Sequence, residues 1–213
     1  LYGIGFERAP DGNILYKDGL PVVSTKATVL GNIQPDCTGG IQNSFSFKGI
    51  SLTALIDIRA GGDAYNEGIG IARWTGQYEE TAVGREEGII GKGTMNVGTA
   101  EAPVYVPNNV IVPARQLYAY NNARNYHEAS IFDVSYVRLR EVTLGYTIPP
   151  TVLKGLFIKS AKISFVGRNL ALLLSNIPHV DPEFDRIGGN AYGFGYGELP
   201  TTRSMGFNVN LTF

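Results

Sequence analysis

Residues 201–213 read TTRSMGFNVNLTF and alternate without a break. Met205, Phe207, Val209, Leu211 and Phe213 fall on one side of an extended chain, and Gly206, Asn208, Asn210 and Thr212 fall on the other. Side chains along a strand point to opposite faces in turn, so this stretch predicts a strand with one apolar face and one small, polar face. A soluble sandwich strand has the same pattern. Two further features favour a membrane setting: the stretch ends on an aromatic of the apolar face with no polar tail, and its length suffices to cross a bilayer as a tilted strand, which takes about 9–11 residues. The expectation is a closing strand of an outer-membrane barrel with its apolar side to lipid.

The same alternation recurs upstream. In residues 41–48, Ile41, Asn43, Phe45 and Phe47 share one face, and Lys48-Gly49 is a tight-turn signal. After it, Ile50, Leu52, Ala54, Ile56 and Ile58 alternate with Ser51, Thr53, Leu55, Asp57 and Arg59. In a barrel Asp57 and Arg59 face the lumen, since a basic residue facing lipid at mid-bilayer costs about 2–4 kcal/mol. Residues 134–148 break phase: Val142, Leu144, Tyr146 and Ile148 share a face, while Val137 and Leu139 have the opposite parity. One extra residue near Arg140-Glu141 reconciles the two halves, so a β-bulge is predicted there. Pro149-Pro150 ends that strand, and residues 160–174 return as the next. Five strands are therefore expected, at 41–48, 50–60, 134–148, 160–174 and 202–213. Short strands are expected at 14–16 and 24–30, among turns such as Pro10-Asp11-Gly12-Asn13 and Lys17-Asp18-Gly19.

Residues 61–130 and 175–201 carry no such periodicity. A stretch as long as the first is hard to place in a compact soluble domain. Long outer loops alternating with short inner turns suit an up-and-down membrane barrel better than a Greek-key sandwich. The fold class is thus all-β: antiparallel strands and long outer loops of a large transmembrane barrel, incomplete in this chain. Closed bacterial barrels need at least about eight strands, and an open edge in lipid leaves backbone groups unsatisfied. The remaining strands must come from elsewhere. The chain begins Leu1-Tyr2-Gly3, without an initiator Met or secretion signal, and is expected to be a piece of something longer. Residues 1–40 are read as a region leading into the barrel, and 41–213 as strands and extracellular loops.

Composition removes several function classes. A net charge of −1 gives no electrostatic case for nucleic acid, and the single cysteine, Cys37, excludes a disulfide framework or a multi-Cys zinc site. No apolar run approaches the about 18 residues of a transmembrane helix. Asp181, Glu183 and Asp185 alternate as calcium ligands do, but Arg186 stands where that loop needs Gly. His127, Ser130 and Asp133 lie close in sequence without a nucleophile elbow or oxyanion hole. Gly193-Phe194-Gly195-Tyr196-Gly197 lacks the Lys-Ser/Thr of a phosphate loop. No catalytic residue, metal or cofactor is expected. Arg138, Arg140 and Arg168 are expected to face the lumen, paired with acids on neighbouring strands or loops. In the loops Asp63, Tyr65, Arg73, Trp74, Tyr78, Tyr118, Tyr120, Tyr192, Phe194 and Tyr196 are the candidate ligand or partner contacts. The alternative for each aromatic is that it packs the loop onto itself.

Three segments carry a resemblance. One runs from Gly31-Asn32 through Gly39-Gly40-Ile41-Gln42-Asn43-Ser44-Phe45-Ser46-Phe47-Lys48-Gly49 to Ala60-Gly61-Gly62-Asp63-Ala64-Tyr65-Asn66. The second is Ser135-Tyr136-Val137-Arg138-Leu139-Arg140-Glu141-Val142-Thr143-Leu144-Gly145-Tyr146-Thr147-Ile148-Pro149, and the third is Gly167-Arg168-Asn169-Leu170 with Val180-Asp181-Pro182-Glu183 and the last strand. Together they resemble the C-terminal part of SusC/RagA-type TonB-dependent outer-membrane transporters of Bacteroidetes, from about Gly31 onward. The resemblance implies a barrel of about 22 strands plugged by an N-terminal domain. It also implies import of glycans, oligosaccharides or peptides, a SusD-like surface lipoprotein as partner, and drive from the TonB complex through a part preceding this segment. A soluble or surface-attached all-β carbohydrate-binding module, and a barrel scaffold of an outer-membrane translocon, are the competing expectations.

Overall fold

A computed structural model describes residues 1–121, 126–184 and 192–213. In chain order the elements begin β1 (Tyr2–Phe6), β2 (Leu15–Lys17), β3 (Leu20–Pro21), β4 (Val23–Val29), β5 (Cys37–Phe47) and β6 (Ile50–Ala60). They continue β7 (Asp63–Asn66), α1 (Glu67–Trp74), β8 (Ile89–Ile90), β9 (Thr94–Asn96), β10 (Tyr105–Pro107), β11 (Ile111–Val112) and α2 (Ala114–Tyr118). The remainder are β12 (Ile131–Asp133), β13 (Tyr136–Thr147), α3 (Pro150–Leu153), β14 (Ser160–Ser175), β15 (Phe194–Gly195) and β16 (Ser204–Thr212), with 3-10 turns at Glu79–Ala82, Ala119–Asn121 and His127–Ser130. The chain divides into two compact units, one of residues 1–33, 63–132 and 184–198, the other of 34–62, 133–183 and 199–213.

The second unit is a single antiparallel sheet in the order β16-β14-β13-β6-β5. Its strands are the five expected from the alternation, with ends moved by a few residues. Lys48 and Gly49 have φ of 45° and 87°, the two positive values that a two-residue hairpin turn needs. Register sets whole rows of like side chains across the sheet. Phe45, Leu52, Leu144, Phe165 and Phe207 stand side by side, followed by Phe47, Ile50, Tyr146, Ile163 and Val209. The opposite face of the intervening row holds Ser46, Ser51, Gly145, Ser164 and Asn208. Most of the apolar rows lie bare: Phe45 is 67% and Phe207 80% exposed. A contiguous apolar face of this size marks an interaction surface rather than a solvated one. The predicted bulge is present, with both neighbours of β13 changing register between Leu139 and Glu141.

All long connections leave one end of this sheet. Residues 1–36 enter β5 there, 61–135 join β6 to β13, and 176–203 join β14 to β16. The opposite end carries only the Lys48-Gly49 turn and the 148–159 connection, where α3 begins at Pro150.

The first unit is built from those long connections, and it holds more regular structure than the lack of periodicity suggested. Its sheets are small: β1-β4, β10-β9-β2-β3, β11-β8, and β12-β7-β15. The helix α1 went unread because eight residues give barely two turns of pattern. What specifies it is its ends: the Asn66 side chain accepts the Ile69 amide at 2.9 Å, Glu67 sits in the first turn and Arg73 in the last. Ile69 and Ala72 are buried beneath it. Tyr16 is a second packing centre, and Gly91 and Gly93 lie so close to its ring that a Cβ at either would collide with it. Among the described residues no helix is long and apolar enough to cross a membrane, which says nothing of β-strands.

Candidate functional site

The polar face of the five-stranded sheet carries a dense charge network at the end where the long connections leave. Arg138 and Arg140 both reach this face, Arg140 from the bulge in β13. Arg138 Nη2 donates to Asp181 Oδ1 at 2.6 Å, and its Nη1 approaches Glu183 Oε2 at 3.3 Å. Arg140 donates to both Glu183 oxygens at 2.9 Å and also pairs with Asp57. The Tyr136 hydroxyl donates to Asp57 at 3.2 Å. Arg138 and Glu183 are almost fully buried, at 4% side-chain exposure each, whereas Arg168, which pairs with Glu141 at 2.9 Å, is 65% exposed. The expectation that these arginines pair with acids of strands and loops holds for all three. Burial pushes the Asp181 carboxyl up, but the Thr201 hydroxyl, the Glu183 amide and Arg138 outweigh it and leave the pKa below its ordinary value. Asn169 completes the cluster. It sits at φ 50°, its Oδ1 accepts from Arg140 at 2.9 Å, and its Nδ2 donates to the Thr202 carbonyl at 3.0 Å.

Two other sequence expectations resolve here. Asp181 and Glu183 are taken up by arginine and hydrogen-bond partners, and Asp185 lies outside the described residues. His127, Ser130 and Asp133 do not converge: His127 Nδ1 accepts the Ile4 amide at 2.9 Å, Ser130 is fully buried, and Asp133 accepts from Ser135 and Asn176.

The candidate loop residues all lie in the first unit and separate into groups. Tyr65 and Phe194 pair across the parallel β7–β15 contact with ring centres 5.8 Å apart, and with Tyr196 and His127 they line a cavity of about 280 Å³. Asp63 begins β7 but turns back, its carboxylate accepting the Asn32 amide at 2.9 Å. Tyr120 stacks on Tyr126 at 4.9 Å, and Tyr118 and Tyr120 share a second cavity of about 310 Å³ with Phe6 and Tyr16. The third group lines the largest of these three cavities, a cleft of about 630 Å³ that collects Arg73, Trp74, Arg85, Arg115 and Tyr118 between α1 and α2. Tyr78 lies half-buried close by, its phenol pushed up by burial and offset by Arg73. Tyr192 is half-buried and lines none of these three. Arg85 and Arg115 were missed in the sequence, because isolated arginines in an aperiodic loop carry no spacing signal.

Comparison with known proteins gives the wider context. Over 211 residues, 95% of the chain, it is 26% identical to the TonB-dependent receptor P26 of Formosa agariphila; over 203 residues it is 24% identical to the TonB-dependent receptor P3 of the same organism. Among solved structures, the RagAB peptide importer in its open-open state matches 100% of the chain at a TM-score of 0.59 and 18% identity. The RagAB peptide transporter matches at 0.57 and 17%. The chain is similar to a segment of TonB-dependent outer-membrane receptors. No family model matches it. The segment spans about a fifth of the length of these relatives, 20% of P26 and 22% of the open-open RagAB chain. Outer-membrane barrels turn apolar residues to lipid and polar ones to the lumen. By that rule the bare Phe45–Phe207 row is the face suited to lipid, and the Arg138–Glu183 network lies on the opposite, polar face.

Proposed function

We propose that this segment supplies part of the wall and ligand-capturing loops of an importer, one that takes up glycans, oligosaccharides or peptides together with a SusD-like surface lipoprotein. The observation that carries the reading is the division of labour along the chain. A five-stranded sheet presents bare apolar rows on one face and a charge network on the other. Every long connection leaves the same end of it and contributes to a separate compact unit lined with aromatic and arginine side chains. The edges, β5 and β16, have no further neighbour among the described residues. Lipid cannot satisfy an open edge, so they pair with strands of the same receptor outside this chain. TonB, acting through a region outside this segment, drives uptake. The similarity of the fold to the RagAB peptide importer supports an importing role; the aromatic clefts support a substrate with flat or apolar surfaces.

The test is purification of the tagged full-length receptor from outer membranes. The expected result is co-purification of a surface lipoprotein in near-equal amount, and loss of cargo uptake both on deleting the receptor and on deleting TonB. A receptor that purifies alone and whose deletion leaves every uptake unchanged overturns the proposal.

A further inference from the structure

We infer that the cleft between α1 and α2 binds an anionic oligosaccharide, one carrying uronate carboxylates or sulfate esters. This rests on the reading of the first unit as ligand-capturing loops and assigns that unit a ligand chemistry. Three guanidinium groups line the cleft: Arg73, Arg85 and Arg115. Arg73 is already committed, with its Nε 2.6 Å from Glu80 and its guanidinium 5.3 Å from the centre of the Phe132 ring. Arg85 differs. It donates to the Thr81 carbonyl at 2.9 Å, the Gly76 carbonyl at 2.8 Å and the Thr81 hydroxyl at 3.2 Å. All three acceptors are neutral, so they fix the position of the charge without cancelling it. Arg115 is exposed and makes no side-chain hydrogen bond among the described residues. Of the three guanidinium groups lining the cleft, Arg73 is thus engaged by Glu80, while Arg85 and Arg115 have no ion-pair partner among the described residues.

Flat rings stand beside those charges. Trp74 is 46% exposed at the end of α1. Tyr118 is held by its hydroxyl, which donates to the Glu80 carbonyl at 3.0 Å. Burial and the Glu80 carboxylate push its phenol up despite Arg73, so the ring stands there as a neutral face. Guanidinium forks match carboxylate and sulfate oxygens two at a time, and aromatic faces give a pyranose ring an apolar seat. A volume of about 630 Å³ is within the range of small-molecule sites and accommodates one or two sugar rings. Acidic peptide motifs also dock on arginine clusters, but here the guanidinium groups stand beside the exposed Trp74 face and the Tyr118 ring, against which a pyranose ring can lie. That favours sugar over acidic peptide.

The experiment is calorimetry on the full-length receptor in detergent, with digalacturonate, a sulfated disaccharide, neutral cellobiose and tetraglutamate as probes. The two anionic sugars are expected to bind in preference to cellobiose, and comparing them separates carboxylate from sulfate. Arg115→Gln is expected to weaken anionic-sugar binding by roughly tenfold or more, the scale of a lost charge-assisted hydrogen bond, with cellobiose unchanged. Because Arg85 also braces the turn after α1, Arg85→Lys serves beside Arg85→Gln: retained charge with lost geometry is expected to give an intermediate affinity. Digalacturonate and cellobiose binding alike, no probe binding at all, anionic-sugar binding indifferent to Arg115→Gln, or tetraglutamate binding more tightly than either anionic sugar each overturn the inference. If the lipoprotein still co-purifies in those cases, only the ligand chemistry has failed. If it does not, the importer reading has failed as well.

Discussion

Arg138 Nη2 lies 2.6 Å from Asp181 Oδ1, and that bond ties the middle strand of the sheet to the connection leaving β14. Arg138 is buried at 4% side-chain exposure and Asp181 is mostly covered at 12%, and Glu183 and Thr201 close around the same guanidinium. The 176–203 connection is thereby fastened to the sheet at two acids two residues apart.

Removing one partner of a buried ion pair strands the other without compensation, at a cost of about 3–5 kcal/mol. Arg138→Ala in the full-length receptor is therefore expected to lower stability severely. Arg168→Ala breaks a pair whose arginine is 65% exposed, where about 0–1 kcal/mol is at stake. Urea titration in detergent, followed by loss of the folded barrel's distinct gel mobility, should show a large shift of midpoint for the first variant and little for the second.

Asn169 invites a different substitution. Its φ of 50° is left-handed, a region that costs an ordinary side chain about 1–2 kcal/mol and a glycine almost nothing. Its amide also makes two hydrogen bonds, to Arg140 and to the Thr202 carbonyl. Asn169→Gly loses the bonds alone, and Asn169→Ala loses the bonds and meets the backbone penalty. The same unfolding measurement is expected to rank wild type above Asn169→Gly, and Asn169→Gly above Asn169→Ala. Equal stability of the two variants would mean that the backbone relaxes here.

Much of the sheet was legible because period two is set by the pleat and survives any tertiary context. Phe45, Leu52, Leu144, Phe165 and Phe207 announce their face one strand at a time, and the parity break at Arg140 announces the bulge. The first unit was not legible in the same way. Its helix α1 is defined by an Asn66 cap rather than by a long apolar stripe, and strands such as β8 and β11 are two residues each. Their pairings span distances in sequence that no local pattern records, as between Tyr65 and Phe194. The candidate aromatics were identifiable by type, but their grouping around three cavities, with Tyr118 lining two of them, was not. Arg115 acquires its place only because Pro113 and α2 bring it to the end of α1.

The orientation of the sheet rests on adjacent residues that point opposite ways. Phe207 lies in the apolar row beside Phe165, and Asn208 lies in the polar row beside Ser164. An arginine on the lipid side at mid-bilayer costs about 2–4 kcal/mol, and one facing the lumen costs much less. Phe207→Arg is expected to reduce the amount of receptor assembled in the outer membrane, with Asn208→Arg close to wild type by the same surface-labelling assay. Equal loss at both positions would remove the lipid and lumen assignment.

The acid anchor also has a pH signature, and its sign follows from the direction of the Asp181 shift. Its carboxyl is held below the ordinary value in the folded receptor, with Thr201, the Glu183 amide and Arg138 together outweighing burial. A carboxyl depressed on folding contributes stability that is fully present above its unfolded pKa and is lost as pH falls through the folded one. The anchoring of residues 176–203 is therefore expected to be intact at neutral pH and to weaken only below the usual carboxylate range. Limited proteolysis of the receptor in detergent, at a series of pH values with an acid-active protease, should show cleavage within this connection rising as pH falls below about 4. Asp181→Asn cannot lose a proton-dependent charge, so it should be cleaved more readily than wild type at neutral pH and show a flatter dependence. Glu141→Gln, which removes the charge of the exposed Arg168 pair and lies outside this connection, should leave the profile of this connection unchanged. A wild-type profile that is flat to the lowest pH, or one that Asp181→Asn reproduces, would mean that the connection is held by something other than Asp181.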